Sequence, residues 1–494
     1  MAFPKQLILV YLTVFIDAIG FSFVLPTLPY IISELGGSAT EVGYTASIYA
    51  LTQAISAVGM GSLSDKGGRK PYFVLSLIGS FLGPLFQAFS PNLPLFIVSR
   101  AFTGILGGSQ TIGQAYIADS IAPEERSKYL TQSTAIVAVS FVIGPLLGGV
   151  LTAISLRFPY YAASICAFVV LILVIFILKE TNQNVILKKQ LTKERKQILK
   201  KTGLSDAEGE RLNEINNKLK NLTTSSKNEK KQKVKMDLGI WTGIIQRFLN
   251  DSACCIFSSM YGQFIMEKLG GTSVDYSLIF GTTGVFTLLT QLLLFPLLHN
   301  KCHLSYMGIS IIGGLINAAG YFMMAYIHVL WCSYISASVM FIGFSFLCPI
   351  SPSLLSIHGP KDNQGGVLSL GVLAGQIAMI IVPTVEGYIY SASPVACFVS
   401  GAAFGILIAL QAAITLCIPG GKDIEKPVFA DEYKDKDEKT IDTSDAEKAI
   451  ATSPSKTATE NEVQAIPVVT VVDTPSPNTN AISPVVSSST ETNQ

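Results

Sequence analysis

The sequence predicts an all-α membrane protein in which about twelve transmembrane helices form two pseudo-symmetric six-helix bundles, at roughly 20 apolar residues per crossing. Of its 494 residues, 49% are hydrophobic and only 14% are charged. The mean hydropathy of +0.46 is far above that of an ordinary soluble domain. All the long apolar runs precede position 420, and a polar segment near the middle of the chain divides them into two groups of six.

The predicted helices are separated mostly by connections too short to fold on their own. Neighbouring helices must therefore be antiparallel. They lie near residues 6–32, 41–63, 72–90, 94–118, 129–152, 158–178, 239–266, 274–298, 305–327, 329–350, 366–390 and 395–418.

Two polar segments complete the predicted domain organisation. Residues 1–178 form the N-terminal bundle and residues 239–419 the C-terminal bundle. Between them, residues 179–238 are rich in Lys, Glu, Asn and Ser and have apolar residues at helical spacing, which predicts a basic cytoplasmic linker with amphipathic helices. Attraction of this linker to anionic lipid or to a regulatory partner is an alternative role. Residues 420–494, rich in Ser, Thr, Pro and acids, predict a disordered tail.

Basic residues are distributed unequally between the two sides of the predicted membrane protein. Outward-facing loops carry Arg157 and Lys268. Inward-facing segments carry the Lys-rich linker and a larger set, namely Lys5, Lys66, Arg69, Lys70, Arg126, Lys128, Lys301 and Lys361. Because basic residues in short loops stay on the cytoplasmic side, both termini of this multi-pass protein are expected in the cytoplasm. The sequence leaves open whether the membrane is the plasma membrane or an internal one.

The connection between the second and third predicted helices, residues 61–71, has the most distinctive sequence in the chain. It contains three basic residues, one acid, several glycines and a final proline. This composition predicts a tight turn at the membrane surface, held on the cytoplasmic side by its positive charge.

This turn closely resembles the signature loop between helices 2 and 3 of major facilitator superfamily transporters. Further motifs follow in the order found in that superfamily, and they resemble its drug:proton antiporter-1 or tetracycline-resistance-type family. They are residues 13–29 in helix 1, Arg100 to Gly104 in helix 4, residues 116–119 and 123–126 in the next loop, Gly144 to Gly149 in helix 5, and residues 179–181 after helix 6. The resemblance implies transport by alternating access between two halves.

The resemblance also implies that charges at the cytoplasmic surface latch helices together when the central cavity faces outward and separate when it opens inward. The residues carried over are Gly61, Asp65, Gly68, Arg69, Lys70, Asp119 and Arg126. A topology anchor with solvated charges is the alternative, with each pair contributing about 0–1 kcal/mol. The corresponding turn of the second half, residues 299–303, lacks the glycines and the acid.

Asp17 is the first candidate for a proton-binding group. It lies about eleven residues into the first predicted helix, roughly 16 Å from the cytoplasmic end. An ionised carboxylate near the bilayer midplane costs about 2.5–3.5 kcal/mol on insertion scales. Desolvation therefore favours the protonated form, which suits a proton carrier or a group that binds a cation. A carboxylate hydrogen-bonded to a neighbouring helix for packing is the alternative.

Other polar residues within predicted helices are candidates for a cavity that binds protons or solute. Arg247 and Asp251 are four apart, so they can pair either as a coupling site or as a static ion pair, with Asn250 adjacent. For Arg100, the helix 4 motif implies proton coupling, whereas snorkelling to the outer interface is the alternative. Weaker candidates are Gln53 and Gln114.

The helix 5 motif predicts a hinge. Gly144, Gly148 and Gly149 allow another helix to approach closely, while Pro145 removes one backbone donor and bends the helix. We expect this motif to pack against helix 8 of the second half and to serve an outer gate. Glu386, near the outer end of helix 11, is either a gate residue or an acid at the interface.

The predicted function is secondary active transport of a small organic solute, by proton-coupled antiport for drug or metabolite efflux. Uniport or proton symport of a metabolite is an alternative, as is a transporter-like receptor or scaffold without transport. The sequence contains no phosphate loop, nucleophile arrangement or metal-ligand cluster, so we expect no enzyme activity, cofactor or metal site. The expected partners are the lipid bilayer, the solute and protons, without nucleic acid, and a monomer is compatible with this function.

Overall fold

The computed structural model describes most of the chain, and its described residues are 5–121, 123–199, 210–218, 236–359, 364–419, 421 and 424. Throughout this part the regular structure is helical, and no β-strand occurs in it. Nine of its helices are long and apolar enough to cross a membrane, from Gln6–Glu34 to Pro394–Cys417. The predicted C-terminal tail lies almost entirely outside the described residues.

The N-terminal half contains eight helices. They are α1 (Lys5–Val24), α2 (Leu28–Glu34), α3 (Ala39–Gly67), α4 (Arg69–Phe89), α5 (Leu93–Leu106), α6 (Ser109–Ser120), α7 (Pro123–Ile154) and α8 (Phe158–Ile177). A single 3-10 turn, Leu25–Thr27, joins α1 to α2. Pro26 lies in this turn, where its missing N–H interrupts the α-helical hydrogen bonds.

The linker and the C-terminal half supply the remaining helices. They are α9 (Gln183–Ile198), a short helix over residues 210–218, α10 (Leu238–Ile256), α11 (Gly262–Leu269), α12 (Ser273–Leu289), α13 (Tyr306–Ala325), α14 (Leu330–Leu347), α15 (Ile350–His358), α16 (Gln364–Ala392) and α17 (Pro394–Cys417). A π-helical turn, Phe257–Tyr261, joins α10 to α11, and two more extend α12.

Three predicted crossings are helical in the structure but are not among the nine apolar helices. The first, α3, carries many hydroxyl side chains, and the third, α10, carries Arg247 and Asp251. The second, residues 94–118, is interrupted at Gly107 and Gly108, between α5 and α6. Polarity and this interruption therefore distinguish the three segments from the rest, and the count of twelve crossings stays a prediction.

The turn predicted over residues 61–71 is much shorter in the structure. Helix α3 continues to Gly67 and α4 begins at Arg69, so only Gly68 separates them. Gly68 has a φ of 102°, a conformation that a residue with a side chain rarely adopts. Pro71 lies in the first turn of α4, where the N–H that it lacks has no helical acceptor. The predicted extent of the turn was therefore wrong.

The two ends of the bundle differ in how they join the halves. We call the end with Gly68 the basic end, and the opposite end, with Glu34 and Ser38, the far end. All hydrogen bonds between the halves in the described residues lie toward the far end. They join Tyr30 to the Thr272 carbonyl, Thr40 to Ser391 and to the Gly387 carbonyl, Tyr44 to Tyr388, and Ser47 to Thr384.

Helices α3 and α16 form the core of this contact, which we call the far-end seal (residues 39–47 against residues 383–391). A Cβ atom added to Gly43 would lie 2.9 Å from the carbonyl carbon of Pro383. One added to Gly387 would lie 2.9 Å from the carbonyl oxygen of Ala39. Backbone therefore touches backbone, and only glycine fits at both positions.

The described part of the linker forms two helices that pack together. Leu191 and Ile198 of α9 bury a small apolar cluster with Ile215, and Arg211 pairs with Glu194 at 2.9 Å. Other apolar linker residues with helical spacing, such as Leu222, lie outside the described residues.

Within the C-terminal half, α13 packs against α14 and α17 through glycines. A Cβ atom added to Gly314 would lie 2.6 Å from the Gly405 carbonyl oxygen, and one added to Gly320 would lie 2.5 Å from the Cα of Met340. Small residues of this kind let helices approach closely in lipid, where apolar burial gives little attraction between them.

We expect Gly320→Ala to lower the melting temperature of the purified protein by a few degrees. The added methyl group meets the α14 backbone, and overpacking of this kind costs about 1–3 kcal/mol. Gly59→Ala is the control, because a Cβ atom at Gly59 meets nothing within 4 Å. A Gly320→Ala protein that melts at the temperature of the Gly59→Ala protein contradicts the prediction.

Candidate functional site

Asp17 lies at a junction of three helices in the N-terminal half. One carboxylate oxygen accepts a hydrogen bond from Ser80 of α4, and the other accepts one from Ser109 of α6. Ser109 is the first residue of α6, so the interruption at Gly107 and Gly108 brings this hydroxyl into position. The Asp17 side chain is half-buried, and among the described residues no cation pairs with it. Each oxygen therefore has a neutral donor, which allows a carboxylate to lie away from bulk water.

Arg100 is buried inside the N-terminal half, with an exposed fraction of 3%. Its guanidinium carbon lies 4.6 Å from the ring centroid of Tyr49, a cation–π contact, and its Nε has no hydrogen-bond acceptor. The Gln53 amide donates to the Tyr49 hydroxyl at 3.2 Å, and Phe21 stacks on the same ring. A snorkelling arginine would extend to the membrane surface, so the interpretation of Arg100 as an interface anchor was wrong.

Arg247 and Asp251 form an ion pair in the C-terminal half. The Arg247 Nε lies 2.6 Å from the Asp251 Oδ2, and Gly375 of α16 leaves room for the pair, since a Cβ atom there would lie 3.3 Å from that Nε. The Asp251 side chain is buried, whereas the Arg247 side chain is 34% exposed. Asn250 is buried next to them, and its side-chain oxygen lacks a hydrogen-bond partner. Gln114, half-buried on α6, belongs to the other half.

The predicted hinge motif contacts the first helix through two of its glycines. Gly144 lies directly against Ser22, and a Cβ atom added to Gly148 would lie 3.0 Å from the Phe23 carbonyl oxygen. Pro145 lies between them inside α7. This face of α7 therefore packs within the N-terminal half.

The third glycine of the motif contacts the other half. A Cβ atom added to Gly149 would lie 2.7 Å from the Ser277 Cβ on α12. In return, a Cβ atom added to Gly281 of α12 would lie 2.5 Å from the Leu146 Cγ. The two helices thus interlock, and the structure brings the motif against the segment that we expected from the sequence.

Arg69 is the centre of a charged cluster at the basic end. Its guanidinium lies 2.6 Å from Asp65 and 2.7 Å from Asp119, and it donates to the Ser64 hydroxyl at 2.7 Å. Arg69 is 7% exposed although its helix begins at the surface of the bundle. The cluster joins α3, α4 and α6, all within the N-terminal half.

The other residues predicted for a cytoplasmic latch lie around this cluster. Arg126 is exposed and donates from Nε to the Ile121 carbonyl at 3.0 Å. Arg69 therefore pairs with both acids of the cluster, and Arg126 lies outside it. The Lys70 ammonium donates to the Ile175 carbonyl at 2.7 Å, and Gly61 faces α6.

Glu180 lies in the motif after helix 6 and is a member of the basic-end cluster, a role that the sequence analysis did not assign to it. Its carboxylate accepts hydrogen bonds from the backbone N–H groups of Arg69 and Lys70, at 2.7 and 3.0 Å. A Cβ atom added to Gly68 would lie 2.5 Å from its Oε2. An acid at a helix N-terminus satisfies free N–H groups and complements the helix dipole. The glycine before α4 was the available signal, but the acid is distant in sequence.

His358 forms a second cluster that the sequence did not indicate. Its Nδ1 lies 2.5 Å from the Asp237 Oδ2, and its Nε2 lies 2.7 Å from the Ile424 carbonyl oxygen. Asp237 also caps α10 by accepting from the Ile240 N–H. A Cβ atom added to Gly239 would lie 2.5 Å from the Cγ of His358, so only glycine fits at position 239.

The arrangement of two helical halves around these motifs corresponds to a known family. A family model for the Major Facilitator Superfamily matches residues 10–383. The chain belongs to the Major Facilitator Superfamily. The resemblance seen in the motifs is confirmed, and the family to which the chain belongs consists of transporters rather than enzymes.

Relatives of known name include drug-resistance proteins. The class H tetracycline resistance protein of Pasteurella multocida is 34% identical over 36% of this chain and 46% of its own length. The quinolone resistance protein NorA of Staphylococcus aureus is 23% identical over 74% of this chain and 85% of its own length. The chain thus matches about half the length of its tetracycline-resistance relatives.

A solved structure shows the same fold. The human organic anion transporter MFSD10 superposes with a TM-score of 0.58 over 83% of this chain and 100% of its own, at 18% identity. At this identity the likeness concerns the fold alone.

We expect Glu180→Ala to speed amide hydrogen exchange at the start of α4 by about tenfold. The change removes the acceptor of two N–H groups at the helix N-terminus, which costs about 1–2 kcal/mol. Hydrogen-exchange mass spectrometry of the full chain in detergent measures this. Glu34→Ala, which removes an exposed pair with Arg157, is the control. Unchanged exchange over residues 69–72 in Glu180→Ala rules the role out.

Proposed function

We propose that the protein is a secondary active transporter that exchanges a small organic solute for protons by alternating access of its two halves. Membership of the superfamily supports transport, and similarity to tetracycline and quinolone resistance proteins supports antiport of a drug or metabolite. The observation that carries the proposal is the position of Asp17, a carboxyl group in the middle of α1 between hydroxyls from two other helices.

The surroundings of Asp17 suit reversible proton binding. Ser80 and Ser109 can donate to a carboxylate, and either hydroxyl can turn to accept from a protonated carboxyl. The two hydroxyls belong to α4 and α6, so any rearrangement of these helices changes the number of donors to Asp17. Proton occupancy and helix arrangement are therefore linked, as an antiporter requires.

The remaining candidate residues provide charged and polar groups from both halves of the protein. Tyr49 interacts electrostatically with both Arg100 and Asp17, so these two charged groups lie near the same ring. In this proposal Arg100 supplies a fixed positive charge that offsets an ionised Asp17. Arg247, Asn250 and Asp251 supply polar groups to the solute from the C-terminal half. The lining of the cavity is completed by Gln53 and Gln114.

The gating roles follow from the same arrangement. The seal at the far end closes one entrance, so this state admits solute from the basic end, which the charge distribution assigns to the cytoplasm. The Arg69 cluster is intact in this state, although the resemblance implies that it separates when the cavity opens inward. Its role is therefore to keep three helices of the N-terminal half together while that half rocks. The contact of Gly149 with α12 is the pivot. Twelve crossings, cytoplasmic termini and a proton gradient as the energy source without a cofactor are parts of this proposal.

We expect Asp17→Asn to lower proton-driven transport by at least about tenfold, because an amide cannot carry a proton between the two sides. The test uses proteoliposomes with an imposed pH gradient and tetracycline or a quinolone as the probe. Exchange of the probe without a gradient should persist in the variant. The control, Glu34→Gln, removes the same charge from an exposed position on the same membrane segment.

The direction of movement separates the alternatives. Under antiport the probe moves against the proton flow, and its direction reverses when the gradient is reversed. Under symport the probe and protons move in the same direction, and under uniport the gradient has no effect.

Truncation after residue 424 should leave transport intact, while a receptor or scaffold would lose its function. Asp17→Asn transport at the wild-type rate at every pH would refute the assignment of Asp17.

A further inference from the structure

Glu386 is a second buried acid, in the C-terminal half and next to the far-end seal. Its exposed fraction is 3%, so it is not an acid at the membrane interface. Both carboxyl oxygens lie close to the Ser400 hydroxyl of α17, at 2.8 and 2.9 Å. The transport mechanism proposed above does not use this group.

The number of available protons indicates the form of Glu386 in this state. The Ser400 hydroxyl lies nearer to a third acceptor, the Cys397 carbonyl oxygen at 2.6 Å, than to either carboxyl oxygen. A hydroxyl has one proton, so a Ser400 hydroxyl that donates to the Cys397 carbonyl cannot also donate to Glu386. Ser400 and Glu386 are then hydrogen-bonded only if the carboxyl group donates to the Ser400 oxygen, which requires a protonated carboxyl.

The groups around Glu386 supply no counter-ion. From α17 the Cys397 thiol, a weak donor, contacts the carboxyl. On its own helix Tyr390 lies about one turn farther along, and it donates to Glu267 at 3.0 Å. From α13, Tyr321 packs against α17 near Cys397. In the part of the chain that the structure describes, no Lys, Arg or His pairs with Glu386.

The same stretch of α16 forms the far-end seal with its opposite face. Thr384, Tyr388 and Ser391 are spaced as one face of a helix, and all three bond to α3. Glu386 lies two residues after Thr384, roughly 200° around the helix, and faces α17 instead. A shift of α16 relative to α17 therefore moves the seal as well.

We infer that Glu386 is a second proton-binding site, whose proton holds the far-end seal closed and whose release to water on the far side accompanies its opening. With the proton bound, the neutral carboxyl donates to Ser400, and α16 stays against α17. When the proton passes to a water molecule, the carboxylate needs donors and hydration that the closed state lacks. Opening of the seal supplies that water. The inference goes beyond the proposed role of Asp17 and does not depend on it.

Infrared difference spectroscopy tests the proton directly. The full chain in lipid nanodiscs should show the carbonyl stretch of a protonated carboxylic acid that disappears in Glu386→Gln. In Ser400→Ala the band should remain but move to higher frequency, because the carboxyl loses its hydrogen-bond partner. A spectrum unchanged by Glu386→Gln overturns the inference. Melting temperatures near that of the wild type show that both variants are folded.

Cross-linking tests the connection to the seal. The Thr40 and Ser391 hydroxyls lie 3.0 Å apart across it, so Thr40→Cys with Ser391→Cys forms a disulfide when the seal is closed. The exposed native cysteines, Cys302, Cys332 and Cys417, are first replaced by Ser. Thiol reactivity itself changes with pH, so the measured quantity is the cross-linking rate relative to that of the same pair with Glu386→Gln.

This relative rate should fall as pH rises, by up to about tenfold per pH unit for coupling to one proton. Adding Asp17→Asn should leave the fall unchanged, which separates this site from the proposed transport site. A relative rate that is constant with pH overturns the inference. The inference also fails if the absolute cross-linking rate depends on pH equally with and without Glu386→Gln and loses this dependence in Asp17→Asn. That outcome would leave the proposed function standing.

Discussion

Direct contact between helix backbones from different halves is the constraint on which the rest of the structure depends. In lipid, apolar burial gives little attraction between helices, so close packing determines which faces meet. Gly43 and Gly387 let the backbones of α3 and α16 touch, while Gly149 and Gly281 make room for the side chains of Ser277 and Leu146 between α7 and α12. These contacts close the far end and thereby decide which side chains face the interior.

The interior charges are stabilised differently in the two halves. In the C-terminal half, Arg247 and Asp251 neutralise each other at contact distance. In the N-terminal half, Asp17 has only hydroxyl partners and Arg100 has an aromatic ring. A charge held by neutral groups can change its protonation or acquire a charged ligand without breaking an ion pair first. Asp17 in the N-terminal half and Glu386 in the C-terminal half are both held in this way, whereas Asp251 is not.

Sequence reasoning predicted the helical bundle well, because the length and hydropathy of a segment decide whether it can cross a bilayer. It misjudged the turn before α4, since hydropathy marks the edge of the membrane and a helix with Asp65 can continue beyond it. The orientation of Arg100 was out of reach, because depth along a helix does not specify rotation about its axis. Glu180 was recognised as part of a motif, but its contact with α4 was not predicted, because its partners lie 111 and 110 residues away in the chain.

The His358 ring brings together two points that are far apart along the chain. Through Asp237 it holds the residue that caps α10, where the linker ends, and through the Ile424 carbonyl it holds the start of the C-terminal segment. Helix α10 carries Arg247 and Asp251 farther along its length. A displacement of Ile424 would therefore be passed through His358 and Asp237 to the first turn of the helix that carries the Arg247–Asp251 pair. The two parts of the chain outside the bundle thus share one mechanical attachment to its interior.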